Sequence, residues 1–204
     1  PKITKTEKNI KNVYYGVSPF IKFKNRKLLN LNLKKKTNIS LFLSNSSKTQ
    51  KYIEILKQLE KFSNRINKVF LIYNKEIVNF KFLEKKIKKI KLINIGFTSQ
   101  LQKIYDKSDF IIGGLGYDSL KRLSNKNFSI NIKLANNQKK NFLFFKREKL
   151  DLLSSKKLDS GSLNNLFCNY SKIFAKINHK YLIFEKRFCL NQKKFYKFWK
   201  TINA

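Results

Sequence analysis

"FIIGGLGYDSL", Phe110 to Leu120, places three of the chain's six glycines within four positions. A glycine cluster after an apolar run can cradle a phosphate, allow a tight turn, or let another backbone come close. The spacing argues against the phosphate. No Gly-x4-Gly-Lys-Ser/Thr run is present, and Gly113, Gly114 and Gly116 are followed by Tyr117, Asp118 and Ser119, without a further glycine to open a helix in the dinucleotide fingerprint. No later acidic residue stands in a βαβ frame. The stretch therefore reads as a strand and tight turn in which the glycines serve packing.

Outward from this stretch, composition sets the scale of the fold. With 204 residues, 42% hydrophobic and 14% aromatic, the chain can bury one large core or two small ones. Lys and Arg number 46 against 12 acids, a formal charge of +34, so a compact fold repels itself unless a polyanion neutralises it. Only Arg26, Arg65, Arg122, Arg147 and Arg187 are arginines; with abundant Asn, Ile and Phe, this points to a coding genome under strong AT bias. Cys168 and Cys189, with His179 between them, lack the paired short spacings of a zinc site. No run reaches the roughly 18 apolar residues needed to span a bilayer. The start, "PKITKTEKNIKN", lacks the apolar core of a secretory signal and reads as an unprocessed terminus.

Periodicity gives an α+β expectation. "FIKF" (Phe20–Phe23), "LLNLNL" (Leu28–Leu33) and "ISLFLS" (Ile39–Ser44) read as strands of a small antiparallel sheet. Ser47 and Gln50 have capping-box spacing before a helix carrying Tyr52, Ile55, Leu56, Leu59 and Phe62. Val69–Phe80 reads as a hairpin turning at Asn74–Lys75, and Leu83–Ile93 as a basic amphipathic helix. Phe110–Ile112, Phe128–Leu134 and Asn141–Phe145 read as strands, followed by a helix from Ser160 or Ser162 through Ile177 and a closing strand "KYLIFEK". The order of strands then helix, twice over, predicts two tandem modules, each an antiparallel-rich sheet packed by a helix: residues 20–94 and 95–185, between a basic extension (1–19) and a basic aromatic tail (186–204).

Catalytic constellations are sparse. His179, the sole histidine, sits in "INHKYLIF", which reads as a turn into a strand rather than part of a Ser-His-Asp device. Asp106, Asp109 and Asp118 are the densest carboxylates; they could hold Mg²⁺ for phosphodiester chemistry, or cap turns and pair with lysines.

"IGFTSQLQ" (Ile95–Gln102) followed by "FIIGGLGYDSL" resembles the Gly-Phe-x-x-x-Leu and Gly-Val-Gly-Tyr stretches of the sixth protein of the large ribosomal subunit, with Gly96, Phe97, Leu101, Gly114, Gly116 and Tyr117 at the matching positions. The likeness spans Ile95 to Ile177. It departs from the family in a longer gap between the two motifs, in "IKLANNQ", and in "NHKYLIFEKRF" where the family has a glycine-lysine-rich end. The resemblance implies a non-enzymatic constituent of an organellar ribosome, bound to rRNA and neighbouring ribosomal proteins near the stalk base, in the mitochondrial matrix or a plastid stroma. It implies no cofactor, no metal, no membrane span and no homo-oligomer. Gly96, Gly114 and Gly116 are then structural. The candidate RNA contacts are Lys34, Lys35 and Lys36; Lys85, Lys86, Lys88 and Lys89; and, in the tail, Lys186, Arg187, Lys193, Lys194, Tyr196, Lys197 and Trp199, where rings alternate with cations. Two other functions fit the composition: another organellar ribosomal protein of either subunit, or a metal-dependent nucleic-acid enzyme.

Overall fold

The computed structural model describes residues 36–155 and 158–202. Six strands, β1 (Thr37–Phe42), β2 (Ile66–Leu71), β3 (Lys91–Asn94), β4 (Phe110–Gly114), β5 (Ser129–Ile132) and β6 (Leu153–Ser155), form one sheet in the order β3-β2-β1-β4-β5-β6. Every strand pair is parallel. The helices between them are α1 (Thr49–Glu60), α2 (Phe80–Lys86), α3 (Leu101–Tyr105), α4 (Tyr117–Ser124) and α5 (Lys139–Glu148), and α6 (Ser160–Ile202) closes the described chain, broken at Asn169. This is a doubly wound α/β domain, and it corrects the expectation of two antiparallel-rich modules: strands from both sides of residue 94 join a single sheet.

The reason lies in which faces are covered. A strand buried on both faces needs apolar residues at consecutive positions, whereas a half-exposed antiparallel strand alternates. β4 is buried at all five positions and β1 at five of six. On one face, Ile39, Leu41, Val69, Leu71, Phe110, Ile112, Ile130 and Ile132 meet Tyr52, Ile55, Leu56 and Leu59 of α1 and Leu163, Phe167 and Tyr170 of α6 in one core. Rings line the α6 side: Phe128 lies 4.2 Å from Phe174 and Phe110 lies 6.1 Å from Phe167, centroid to centroid. On the opposite face Phe42, Ile72 and Ile111 pack with Tyr105 of α3.

Several elements differ from the sequence expectation. The Asn74–Lys75 turn leads into α2, because Asn79 caps that helix through its side chain, accepting from the Phe82 N–H at 3.0 Å. The basic helix expected over Leu83–Ile93 stops at Lys86; Glu60 Oε1 accepts the N–H groups of Lys88 and Lys89 at 2.7 and 2.8 Å, turning the chain into β3. Asn141–Phe145 lies in α5, and "KYLIFEK" continues α6, so His179 is an exposed helical residue. The Ser47–Gln50 capping box does not form: the N-cap of α1 is Lys48, without a side-chain cap. The strands expected at Phe20–Phe23 and Leu28–Leu33, with Lys34 and Lys35, lie outside the described residues.

Asp109, just before β4, accepts the Asn38 N–H at 2.6 Å. Burial pushes its carboxyl above the usual carboxylate range, and the Asn38 bond only partly opposes this. A raised folded pKa means that the fold favours the protonated acid, so stability falls as pH rises through that pKa. Asp109→Asn keeps the acceptor and removes the charge. Its melting temperature should exceed that of the wild type near pH ~7 and match it near pH ~3.5, below the ordinary carboxylate pKa. Equal melting temperatures at both pH values would show that the carboxylate bears no desolvation cost.

Candidate functional site

In a sheet of this order, chain direction reverses outward at β1/β4, and the loops leaving the C-terminal ends of these two strands diverge to leave a crevice. Here the β1 exit is Leu43–Ser44–Asn45–Ser46–Ser47, and the β4 exit is Leu115–Gly116. Each leads into a helix whose N-terminus lies at this edge, and neither helix has a side-chain cap. Lys51 and Ser119 donate back to the Lys48 and Gly116 carbonyls at 3.0 Å, and the first two N–H groups of α1 and α4 are left to another acceptor. Ser44 Oγ lies 2.8 Å from Ser47 Oγ and 3.3 Å from Ser46 Oγ, giving the β1 exit a cluster of hydroxyls. Lys48 starts α1, and on α4 the Lys121 ammonium sits 5.3 Å from the centre of the exposed Tyr117 ring.

The three glycines of the opening stretch have three separate causes. A Cβ on Gly114 would stand 2.2 Å from the Leu43 carbonyl oxygen, so the strand exits touch only because that position has no side chain. A Cβ on Gly113 would stand 2.7 Å from the Arg122 guanidinium carbon. A Cβ on Gly116 would meet nothing within 4 Å, so this position opens onto free space at the β4 exit. Gly116 stands at the N-cap position of α4, so a glycine does open a helix here, against the sequence reading.

Arg122 is the largest fully buried side chain in the described domain. It reaches from α4 under the β4 exit. Its Nη1 pairs with Asp118, and Nη2 donates to the Gly114 carbonyl and to Asn131 Oδ1, both at 2.8 Å. Asn131 in turn donates to Asp151 at 3.0 Å, and the Tyr105 hydroxyl donates to Asp118 at 2.8 Å. Burial drives the Tyr105 pKa upward, with Arg122 opposing, so Tyr105 stays a neutral donor. The network ties β4 and β5 to α3, α4 and the turn before β6. A sequence signal for it exists in "SINI": Ile130 and Ile132 alternate with Ser129 and Asn131, and the polar pair faces Arg122.

The earlier candidates fall elsewhere. Lys36, Lys85, Lys86, Lys88 and Lys89 are exposed, at or toward the opposite edge of the sheet, and Lys186 is exposed on α6. The side chains of Arg187, Lys193, Lys194, Tyr196, Lys197 and Trp199 lie outside the described residues. Asp106, Asp109 and Asp118 do not converge: Asp106 accepts from Gln102 at 2.6 Å, Asp109 serves Asn38, and Asp118 serves Arg122 and Tyr105. Among the described residues no three His, Cys, Asp or Glu gather as a metal site. Gly96 adopts φ +65°, a left-handed conformation that favours glycine, and Lys75 lies across it.

No family model and no curated relative matches the sequence. Solved structures do. The glycosyltransferase SnogD from Streptomyces nogalater superposes with a TM-score of 0.54 at 12% identity, over 83% of this chain and 44% of that one. MurG from Acinetobacter baumannii gives 0.54 at 14%, over 79% and 51%. The C-terminal domain of a group 1 glycosyl transferase, LpcC, from Francisella tularensis gives 0.51 at 17%, over 84% of this chain and 97% of that domain. The fold is the Rossmann-like α/β fold that these structures share. The chain spans about half the length of SnogD and MurG, and nearly the whole of the LpcC domain.

These likenesses correct the ribosomal assignment. A tandem ribosomal module has no doubly wound parallel sheet, so the Gly-x-Gly-Tyr match is coincidence of a short motif. With it go the non-enzymatic role, the rRNA and ribosomal-protein partners, and the mitochondrial or plastid placement that followed from them; the nucleic-acid enzyme finds no support either. No helix among the described residues is long and apolar enough to cross a membrane.

Proposed function

We propose that this chain is the sugar-nucleotide-binding part of a sugar-transferring enzyme, and that the crevice between the β1 and β4 exits takes the diphosphate. The observation that carries the reading is Gly116: a helix start without a side-chain cap, where a Cβ would meet nothing within 4 Å, at the point where the sheet order reverses. Phosphate oxygens approach a backbone N–H closely only where no side chain intervenes. The Ser44–Ser47 hydroxyls add donors, and Lys48 and Lys121 add positive charge.

In sugar transfer from a nucleoside diphosphate sugar, the bond from the anomeric carbon to the terminal phosphate oxygen breaks, and negative charge grows on that oxygen. Two helix N-termini fixed beforehand stabilise such charge without reorganising. The buried Arg122 network keeps the α4 terminus in place while ligand comes and goes. Arg122 and Tyr105 both bond Asp118 Oδ2, which ties this carboxylate to the network beneath the β4 exit.

Titration calorimetry with UDP, ADP and GDP tests this directly. Saturable binding of a nucleoside diphosphate, weakened about tenfold or more by Gly116→Val with little change in melting temperature, supports the reading. Absence of saturation for all three at ~1 mM overturns it.

A further inference from the structure

The surplus positive charge is not spread evenly. Between Lys75 and Lys91, seven lysines are exposed (75, 81, 85, 86, 88, 89 and 91) against two exposed acids, Glu76 and Glu84. No other stretch of seventeen residues with described side chains exposes as many lysines. Exposed apolar side chains stand among them: Phe82 is 44% and Ile77 39% exposed. The Lys86 ammonium lies 5.6 Å from the centre of the Phe82 ring. The arrangement is held from within. Leu83, Ile87 and Ile90 are buried in the core, and the Glu60 carboxylate holds the Lys88–Lys89 turn, so the lysines of α2 and of this turn face outward.

We infer that this face, α2 with the flanking Lys75–Ile77 and Lys88–Lys91 segments, docks on an anionic lipid bilayer. Clustered ammonium groups are drawn to an anionic leaflet, and one aliphatic and one aromatic side chain among them suit the boundary between headgroups and acyl chains. The core-facing residues of α2 are already used, so contact is shallow and salt-sensitive. A nucleic acid fits less well. Ile77 offers no ring to a base, and none of the seven cations is an arginine able to grip a phosphate in two places. Lys75 lies across Gly96, just past the end of β3. The inference does not depend on what the crevice binds.

Vesicle sedimentation of the full chain tests it. Phosphatidylcholine vesicles with about 30% phosphatidylglycerol should bind at least about tenfold more strongly than pure phosphatidylcholine, and high salt should abolish the difference. The triple variant Lys81→Glu, Lys85→Glu, Lys86→Glu should lose about tenfold or more. Lys172→Glu, Lys176→Glu, Lys186→Glu on α6, with the same change in net charge, should lose less than about threefold. A Lys→Gln series at the α2 positions serves if the Glu variant fails to fold, and Phe82→Ser should weaken binding without altering the salt dependence. Equal losses from the two triple variants would overturn the proposal by showing that net charge alone acts. So would binding of poly(U), lost in the α2 variant, with no binding of vesicles.

Discussion

Arg122→Met is expected to cost about 3–5 kcal/mol of folding stability, the range for removing one partner of a buried ion pair. The side chain is wholly buried, and methionine fills a similar volume, so the loss is electrostatic rather than a cavity effect. Without the guanidinium, Asp118 keeps only the Tyr105 hydroxyl, and the Gly114 carbonyl and Asn131 Oδ1 lose their donor. Two further substitutions separate these contributions. Arg122→Met with Asp118→Leu removes both charges and should recover part of the loss, because the unpaired carboxylate is the costliest remnant. Arg122→Lys keeps a charge, but one ammonium cannot reach Asp118, Gly114 and Asn131 in a planar fork, so its stability should fall between wild type and Met. Urea midpoints at constant m-value measure all three. A loss below about 1 kcal/mol for Arg122→Met would show that the network contributes little.

Gly114→Ala should be nearly as damaging, about 3 kcal/mol or more, at or beyond the upper end of overpacking costs. The atom in the way is the Leu43 carbonyl oxygen, 2.2 Å from where the new Cβ would stand. Backbone cannot rotate aside as a side-chain tip can, so β1 and β4 must separate at the mouth of the crevice. Gly116→Ala is the comparison. It meets no neighbour and has φ −77°, so its stability should lie within about 0.5 kcal/mol of wild type. The two glycines stand two residues apart, and a melting experiment on both variants separates packing from access to ligand. Similar destabilisation by both would contradict the assignment of Gly116 to open space.

Charge, apolar content and most of the elements were legible in the residues themselves. Ile39–Phe42 of "ISLFLS" and all of "FII" are strand, and Tyr52 to Leu59 mark a helix, because local periodicity reports local conformation. The direction in which strands pair is not a local property. "VFLIY" and "FIIGG" fit a strand covered on both faces, but the residues that cover them come from α1, α3 and α6, far along the chain. Continuous apolar runs were the available sign of a parallel sheet; reading them as antiparallel, with a hairpin at Asn74–Lys75, led to the wrong architecture. The glycine motif misled for a related reason. Gly-Leu-Gly-Tyr is short enough to recur on unrelated folds, and the three glycines of the longer stretch answer to Arg122, Leu43 and open space, none of which is visible in the stretch itself.

By itself, the sequence determined that the chain is strongly basic, rich enough in apolar side chains to fold, and built of strands and helices at recognisable places. Those depend on side-chain chemistry and on spacing of a few residues. Only the tertiary structure decided that the strands run parallel, that a buried arginine lies beneath the β4 exit, and that one glycine of three opens onto free space. Each of these depends on contacts between residues distant in the chain, whose energies come from burial and close approach.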